Sequence, residues 1–370
     1  MNNRKALVNG VIYTGHQILK HKALLIKDGQ IEDIVDENHI PEGYVLFDAL
    51  GNNICAGLID LQIYGAGESL FSAELDVNAI YQIENTLLSQ GCTSFYLTLA
   101  TNTLAVFNQA IEVFKSANRK SALGLHLEGP FLNAKKRGAH PKELIIEPTV
   151  ELLQNLLEQD QGVVKMITVA PELICNECLD YLKQKNILIS AGHSDATYNE
   201  ALNSFDMGIK TVTHLWNAMS ILHHRQTGLP GATFSHPSVC ASIIVDGIHV
   251  DYNAVKISKA LLKERLFLIT DAVAKCNKGI YKHIFNKNHY ELEDGTLSGS
   301  ALSMLDAIRN CVQFVGIDLH EAIRMATLYP SNLIKREDLG RIEAGATANI
   351  LVFSNDFIVN SVFLNGDKVN

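Results

Sequence analysis

The 370-residue chain has no apolar run approaching the roughly 20 residues that cross a bilayer. Its longest basic cluster is "KKR" at 135–137, and its formal net charge is −9. Phosphate-backbone binding needs a basic surface, so neither a nucleic-acid role nor a membrane-spanning one is expected. Low-complexity tracts and short-period repeats are absent. The opening stretch "MNNRKALVNGVIYTG" has charge but no apolar segment of the kind that marks a secretory leader, and it reads as a first strand. Seven cysteines (55, 92, 175, 178, 240, 276 and 311) are scattered and odd in number. That usage predicts reduced thiols and a cytoplasmic protein, not a disulfide framework. "CNEC" at 175–178 has no second pair to complete a metal knuckle and opens a helical pattern, so it reads as two helix cysteines.

What the chain does have is apolar content. Hydrophobic residues make up 47% and charged residues 19%, enough for a large core. Residues 5–50 read as short strands and turns, with an Asp-Gly hairpin signal in "KDGQI". The C-terminal end repeats this texture in "GRIEAGATANILVFS" and "DFIVNSVFLNGDKVN". The two ends, 1–54 and 335–370, are therefore expected to build one small β-sandwich domain.

Residues 55–334 alternate apolar strands with helical segments. "NAIYQIENTLLSQG" precedes "TSFYLTLA", a helix at 103–118 precedes "ALGLHLEG", and "VELLQNLLEQD" precedes "VKMITVAPE". "CNECLDYLKQKN" precedes "ILISAGHS", "TYNEALNSFDMG" precedes "TVTHLWNA", and a helix at 252–264 precedes "LFLITDAVA". Parallel βα units of this number predict a (β/α)8 TIM barrel, with an open parallel sheet as the alternative.

Barrel chemistry lies at the C-terminal ends of strands. The first strand ends with Asp60, Gln62 and Tyr64 on one face. Later strands end at Glu128 ("HLEGP"), His193 ("SAGHSD"), His214 ("VTHLWNAM"), Asp246 and His249 ("VDGIHVD"), and Asp271 ("LITDA"). One glutamate and two histidines from separate strands form a candidate site for a divalent metal, Zn²⁺ most simply and Fe²⁺ also. Asp271 is then the candidate general base beside a metal-activated water. His126 shares the strand face of Glu128 and is expected to orient it or a neighbour, with a ligand role as the lesser alternative. A single strand-end histidine is more often structural than a ligand, and Asp271 alone could be a helix cap. The recurrence of such residues at equivalent strand ends is what packing does not explain.

"HLEGPFLNAKKRGAHP", "SAGHSDATYNEA", "THLWNAMS", "DGIHVD", "LITDA" and "LSGSALSMLDAI" together resemble the N-acetylglucosamine-6-phosphate deacetylases of the amidohydrolase superfamily. The resemblance runs from "AGLID" at 56–60 to "ATLYPSNLI" at 326–334. It implies Glu128, His193 and His214 as ligands of one divalent ion and Asp271 as the catalytic acid/base. It implies that His140 touches the acetamide or sugar, and that Asn217 and the backbone of Ala218 belong to the sugar-phosphate site. Arg225 and His249 are implied as phosphate contacts, shared across the interface of a homodimer. "LSGSA" at 297–301 is implied to be a loop closing over the sugar.

The chain also departs from the superfamily pattern. Many amidohydrolases carry His-x-His at the end of the first strand and bind a second metal there; here the positions are Gln62 and Tyr64. An amide and a phenol are weak ligands, so one ion is expected. Gln62 is then expected to hydrogen-bond the site water or the substrate, and Asp60 to be a buried structural acid. A deacetylase for N-acetylgalactosamine 6-phosphate or a related sugar is the alternative substrate reading. A two-metal cyclic amidase would need the missing histidine pair. An inactive sugar-phosphate sensor would be expected to lack Asp271 or a ligand, and none is missing.

Overall fold

The apolar runs between Leu58 and Leu268 are buried on nearly every residue, so each must satisfy its backbone by pairing, and it does so as a strand. The computed structural model describes residues 4–370, so the first three residues of the opening strand read from the sequence lie outside the described residues. Eight strands form the central sheet: β1 (Leu58–Ile63), β2 (Cys92–Ala100), β3 (Ala122–Glu128), β4 (Val164–Val169), β5 (Leu188–Ala191), β6 (Thr211–Val212), β7 (Cys240–Ile243) and β8 (Leu266–Leu268). They neighbour one another in sequence order, and the pairs from β2 to β8 are parallel. Past β8, Ala272 bridges in parallel to Ile63; Asp271 N–H donates to the Gln62 carbonyl (3.0 Å) and Tyr64 N–H to the Ala272 carbonyl (2.9 Å). Those bonds join the last strand to the first, giving the expected barrel in preference to an open sheet.

The crossover helices are α1 (Val77–Ser89), α2 (Leu104–Ser116), α3 (Val150–Leu156), α4 (Asn176–Gln184), α5 (Tyr198–Asp206), α6 (Gly228–Ser235) and α7 (Tyr252–Leu262). Side-chain caps start several of them. Thr103 accepts from Val106 N–H, Thr149 from Leu152 N–H, and Thr197 with Glu200 closes a reciprocal capping box on α5. No helix among the described residues is long and apolar enough to cross a membrane.

Two features anchor β3, the strand that ends in Glu128. At its start, Glu84 on α1 is buried, and its Oε1 accepts the backbone N–H groups of Lys120 (2.8 Å), Ser121 (2.7 Å) and Ala122 (2.9 Å). Inside the barrel, His126 bonds the Leu61 carbonyl through Nδ1 (3.2 Å) and the Thr168 hydroxyl through Nε2 (2.7 Å). Thr168 in turn meets Thr213 at 2.8 Å. His126 is therefore part of a buried hydroxyl chain: of the partners expected for it, it bonds neighbours in the barrel and not Glu128 itself. Burial depresses its pKa to about 4 and keeps the ring neutral.

Contacts divide the described chain into two units, one of residues 4–60, 85–94 and 303–370, the other of 61–84 and 95–302. The first contains two sheets built from both chain ends. One runs Gln30–Asp36, Lys22–Lys27, Arg4–Val8, Val45–Asp48; the other runs Asp367–Lys368, Val359–Leu364, Ile350–Phe353, Asn53–Ala56, Val11–Tyr13, Ile18–Leu19. Leu7, Leu24 and Ile26 from the first sheet and Ile12, Ile54, Ile350 and Phe363 from the second share one buried cluster, which makes the pair a sandwich. The second unit adds a three-stranded antiparallel sheet, Ile284–Asn286, His289–Glu291 and Leu297–Ser300. The "LSGSA" segment, which the resemblance implies to be a loop closing over the sugar, is a strand over Leu297–Ser300, and its Ser300 bridges Ala272.

Candidate active site

Glu128 is the last residue of β3, while His193, His214 and Asp271 follow β5, β6 and β8 by two, two and three residues. Three of these four hold left-handed backbone: φ is +47° at His193, +33° at His214 and +53° at Asp271. Non-glycine residues held there cost about 1–3 kcal/mol each and gather where the surrounding structure dictates a side-chain direction. Here the strand-end bends bring the four side chains together.

The glutamate divides its two oxygens between different partners. Oε1 lies 3.1 Å from His214 Nε2 and 3.4 Å from His193 Nε2, and it accepts from Gln62 Nε2 (2.8 Å). Oε2 accepts the Tyr64 phenol and faces His140 Nε2 (3.1 Å). Gln62 Nε2 also reaches Asp271 Oδ1 (2.7 Å) and the Tyr64 oxygen (2.9 Å). The Gln62 amide therefore links Glu128 to Asp271, two carboxylates that would otherwise repel. Burial raises the Glu128 pKa, but the charge of His193 and the hydrogen bonds from His140, His193 and His214 outweigh it and hold the carboxyl well below its usual range. Asp271, half-buried, is shifted the other way: desolvation pushes its pKa up, and the pull of His214 does not cancel it.

The donor set fits a divalent metal. His193 Nδ1 lies 3.0 Å from the Lys136 carbonyl, which can only accept, so Nδ1 carries a hydrogen and Nε2 is the nitrogen left to face the cluster as a ligand. That Nε2 is 3.1 Å from His214 Nε2. The three separations among Glu128 Oε1, His193 Nε2 and His214 Nε2 match a ligand–ligand edge of about 3.3 Å, expected for a tetrahedral ion bonded at 2.0–2.1 Å. His140 also lies in reach, forming with Glu128 and His193 a second set of donor atoms within 4.8 Å of one another. Both of its nitrogens already have partners, Thr101 Oγ1 at 2.8 Å and Glu128 Oε2, and burial lowers its pKa to about 4. Because His140 is so engaged, the set with His214, whose three donor atoms lie 3.1–3.4 Å apart, is the one taken as the ligand set.

The cluster opens into a cavity of about 290 Å³, close to the lower end of small-ligand sites. His140, Asn217, Ala218, His249 and Asp271 all line it. Asn217 Nδ2 donates to the His214 carbonyl (3.4 Å), and the Ala218 carbonyl accepts from Ser194 N–H (3.1 Å). His249 Nδ1 is fixed by Asp246 Oδ2 at 2.6 Å. Arg225 does not line this cavity. It is exposed on a loop beside a second depression, whose walls include Lys136, Tyr198, His223 and His224.

Sequence reasoning missed one wall of the cavity. Tyr281 donates to the Thr101 carbonyl (2.7 Å), and His283 meets Ser298 Oγ at 2.9 Å, its pKa lowered to about 4 by burial. Both lie past the last barrel strand, where no apolar run flags them.

Comparison with known proteins agrees with this architecture. Residues 53–369 match the amidohydrolase family model, and residues 6–54 match the NagA composite domain. The chain is 36% identical over 376 residues to an N-acetylglucosamine-6-phosphate deacetylase of Haemophilus influenzae, covering 98% of each chain. It is 28% identical to an N-acetylgalactosamine-6-phosphate deacetylase of Escherichia coli O157:H7, covering 94% of this chain and 98% of the other. Among solved structures, an N-acetylglucosamine-6-phosphate deacetylase from Pasteurella multocida superposes with a TM-score of 0.94 at 34% identity, covering 99% of each chain.

Proposed function

The chain belongs to the amidohydrolase family and is an amide hydrolase, and from that premise we propose that it converts N-acetylglucosamine 6-phosphate to glucosamine 6-phosphate and acetate. The observation that carries this reading is the convergence of Glu128 Oε1, His193 Nε2 and His214 Nε2 on one wall of a cavity that Asp271 also lines. In the proposal these three residues hold one divalent ion per chain, Zn²⁺ or Fe²⁺. Such an ion, when bound, polarises an amide carbonyl and acidifies water.

The remaining roles fall to the chain itself. Asp271 accepts the proton of the attacking water and returns it to the departing nitrogen, because an amide anion is too basic to leave unprotonated. Its elevated pKa suits the second half of that cycle. Gln62 is assigned a revised role: with its Nε2 committed to Glu128 and Asp271, it aligns the ligand carboxylate with the acid/base rather than contacting substrate through that nitrogen. His140 binds the acetamide or sugar, Asn217 and the backbone of Ala218 belong to the sugar-phosphate site, and His249 binds the phosphate. Arg225, outside its own cavity, is proposed to reach the phosphate in a neighbouring subunit of a homodimer, where its guanidinium would bind bidentately. The same reading assigns residues 1–54 and 335–370 to a sandwich domain, 55–334 to the barrel, and the protein to the cytoplasm.

The test is acetate release from N-acetylglucosamine and N-acetylgalactosamine, each with and without the 6-phosphate. Turnover is expected with the gluco epimer and only with its phosphate. Preference for the galacto epimer would select the alternative substrate, and no acetate from any phosphosugar would leave a sensor.

Tyr64→Phe removes the phenol that caps Glu128 Oε2 and keeps the ring. Loss of a partner that orients a ligand typically costs 10–100-fold in metal affinity or activity. A drop of roughly 10-fold in metal retention against a chelator is expected; unchanged retention would reduce Tyr64 to packing.

A further inference from the structure

The "CNEC" segment takes no part in the chemistry described above, yet its geometry is that of a dithiol. Cys175 is the N-cap residue of α4 and is exposed, while Cys178 is buried one turn further on. Their sulfurs lie 3.3 Å apart. A disulfide requires about 2.05 Å between sulfurs, and two cysteines spaced C-x-x-C at a helix start reach it by side-chain rotation. Cys175 has extended backbone (φ −80°, ψ 164°), joins the helical ladder only through its carbonyl, which accepts from Leu179 N–H (3.1 Å), and makes no side-chain cap bond, so its side chain can turn without unwinding α4. The two thiols also divide the labour of exchange. The exposed sulfur at the positive end of a nine-residue helix is the accessible nucleophile, and the buried one is poised behind it.

We propose that Cys175 and Cys178 form a reversible dithiol–disulfide site that reacts with low-molecular-weight disulfides of the glutathione class. The Cys175 thiolate attacks one sulfur of the small disulfide, forming a mixed disulfide and releasing one thiol. Burial pushes the Cys178 thiol up to about 12, so it attacks Cys175 Sγ as it gives its proton to the departing glutathione sulfur, forming the internal disulfide and releasing the second thiol. The small disulfide is reduced by two electrons, and the two protein thiol protons end on the two released thiols. The site lies outside the cavity that holds Glu128 and Asp271 and does not depend on the deacetylase assignment.

The experiment equilibrates the full chain in mixtures of reduced and oxidised glutathione, quenches with an alkylating agent and maps each cysteine by mass spectrometry. The wild type is expected to lose alkylation at Cys175 and Cys178 together, with the internal disulfide as product. Cys178→Ser is expected to stop at a glutathione adduct on Cys175, and Cys175→Ser to leave Cys178 thiol free of adduct. Full alkylation of both cysteines across the whole range, or an adduct on wild-type Cys175 that never resolves to the internal disulfide, would overturn the proposal. Circular dichroism of each variant separates these outcomes from misfolding.

Discussion

Asp271→Asn is expected to lower the rate of acetate release by about 10³-fold, within the range that a positioned acid/base supplies, while leaving one equivalent of metal bound. The substitution isolates the proton-transfer role. Asparagine keeps an Oδ1 that can still accept from Gln62 Nε2, now at 2.7 Å from the carboxylate. It also tolerates the left-handed backbone at this position, φ +53°, better than most residues. The backbone bonds of Asp271, its N–H to the Gln62 carbonyl of β1 and its carbonyl from Ser300 N–H, are untouched. What disappears is the capacity to take a proton and give it back. Steady-state kinetics paired with elemental analysis of the same sample decide the matter. Turnover close to wild type would remove Asp271 from the mechanism, and loss of the ion would make it a ligand instead of an acid/base.

The barrel and the meeting of Glu128, His193, His214 and Asp271 at its rim were legible because both rest on simple periodic signals. A parallel strand buried on both faces reads as a continuous apolar run, and the first polar residue after such a run stands at the catalytic rim. Glu128, His193, His214 and Asp271 are all of this kind. His126 shows the limit of the rule. It shares a strand face with Glu128, but two residues deeper it meets Thr168 and the Leu61 carbonyl inside the barrel. Alternation gives the face and not the depth. The Tyr64–Glu128 and Gln62–Asp271 bonds were out of reach because they join residues 64 and 209 positions apart, and their geometry depends on how the end of β1 meets β3 and the last strand. Tyr281 and His283 were missed for a different reason. The antiparallel strands around them are short and largely exposed, so no burial pattern marks the segment.

Glu84→Ala should be among the most destabilising single changes in the chain, costing about 3–5 kcal/mol. Surface ion pairs set the contrast: Lys5 and Asp367 approach to 2.7 Å, but Asp367 is 74% exposed, and breaking such a pair costs under about 1 kcal/mol. Glu84 is 2% exposed and its Oε1 gathers three backbone N–H groups from consecutive residues, 120–122. Helix and sheet ladders cannot serve those amides, because they lie at the turn into β3. Alanine would strand the Ser121 and Ala122 amides in the interior, at about 1–3 kcal/mol for each buried donor left unsatisfied, while the more exposed Lys120 amide turns to water. That loss is a large fraction of the 5–15 kcal/mol that keeps a typical domain folded. Glu84→Gln retains an oxygen acceptor in the same place and should cost about 1 kcal/mol, the difference between a charge-assisted and a neutral hydrogen bond. Denaturant unfolding of both variants gives the comparison, and an alanine variant within 1 kcal/mol of wild type would mean that water or a shifted backbone satisfies the amides. Function should follow stability here. β3 begins at these amides and ends at Glu128, so a loosened start moves the carboxylate on which the site converges. The alanine variant is therefore expected to bind metal more weakly than the glutamine variant at temperatures where both remain folded.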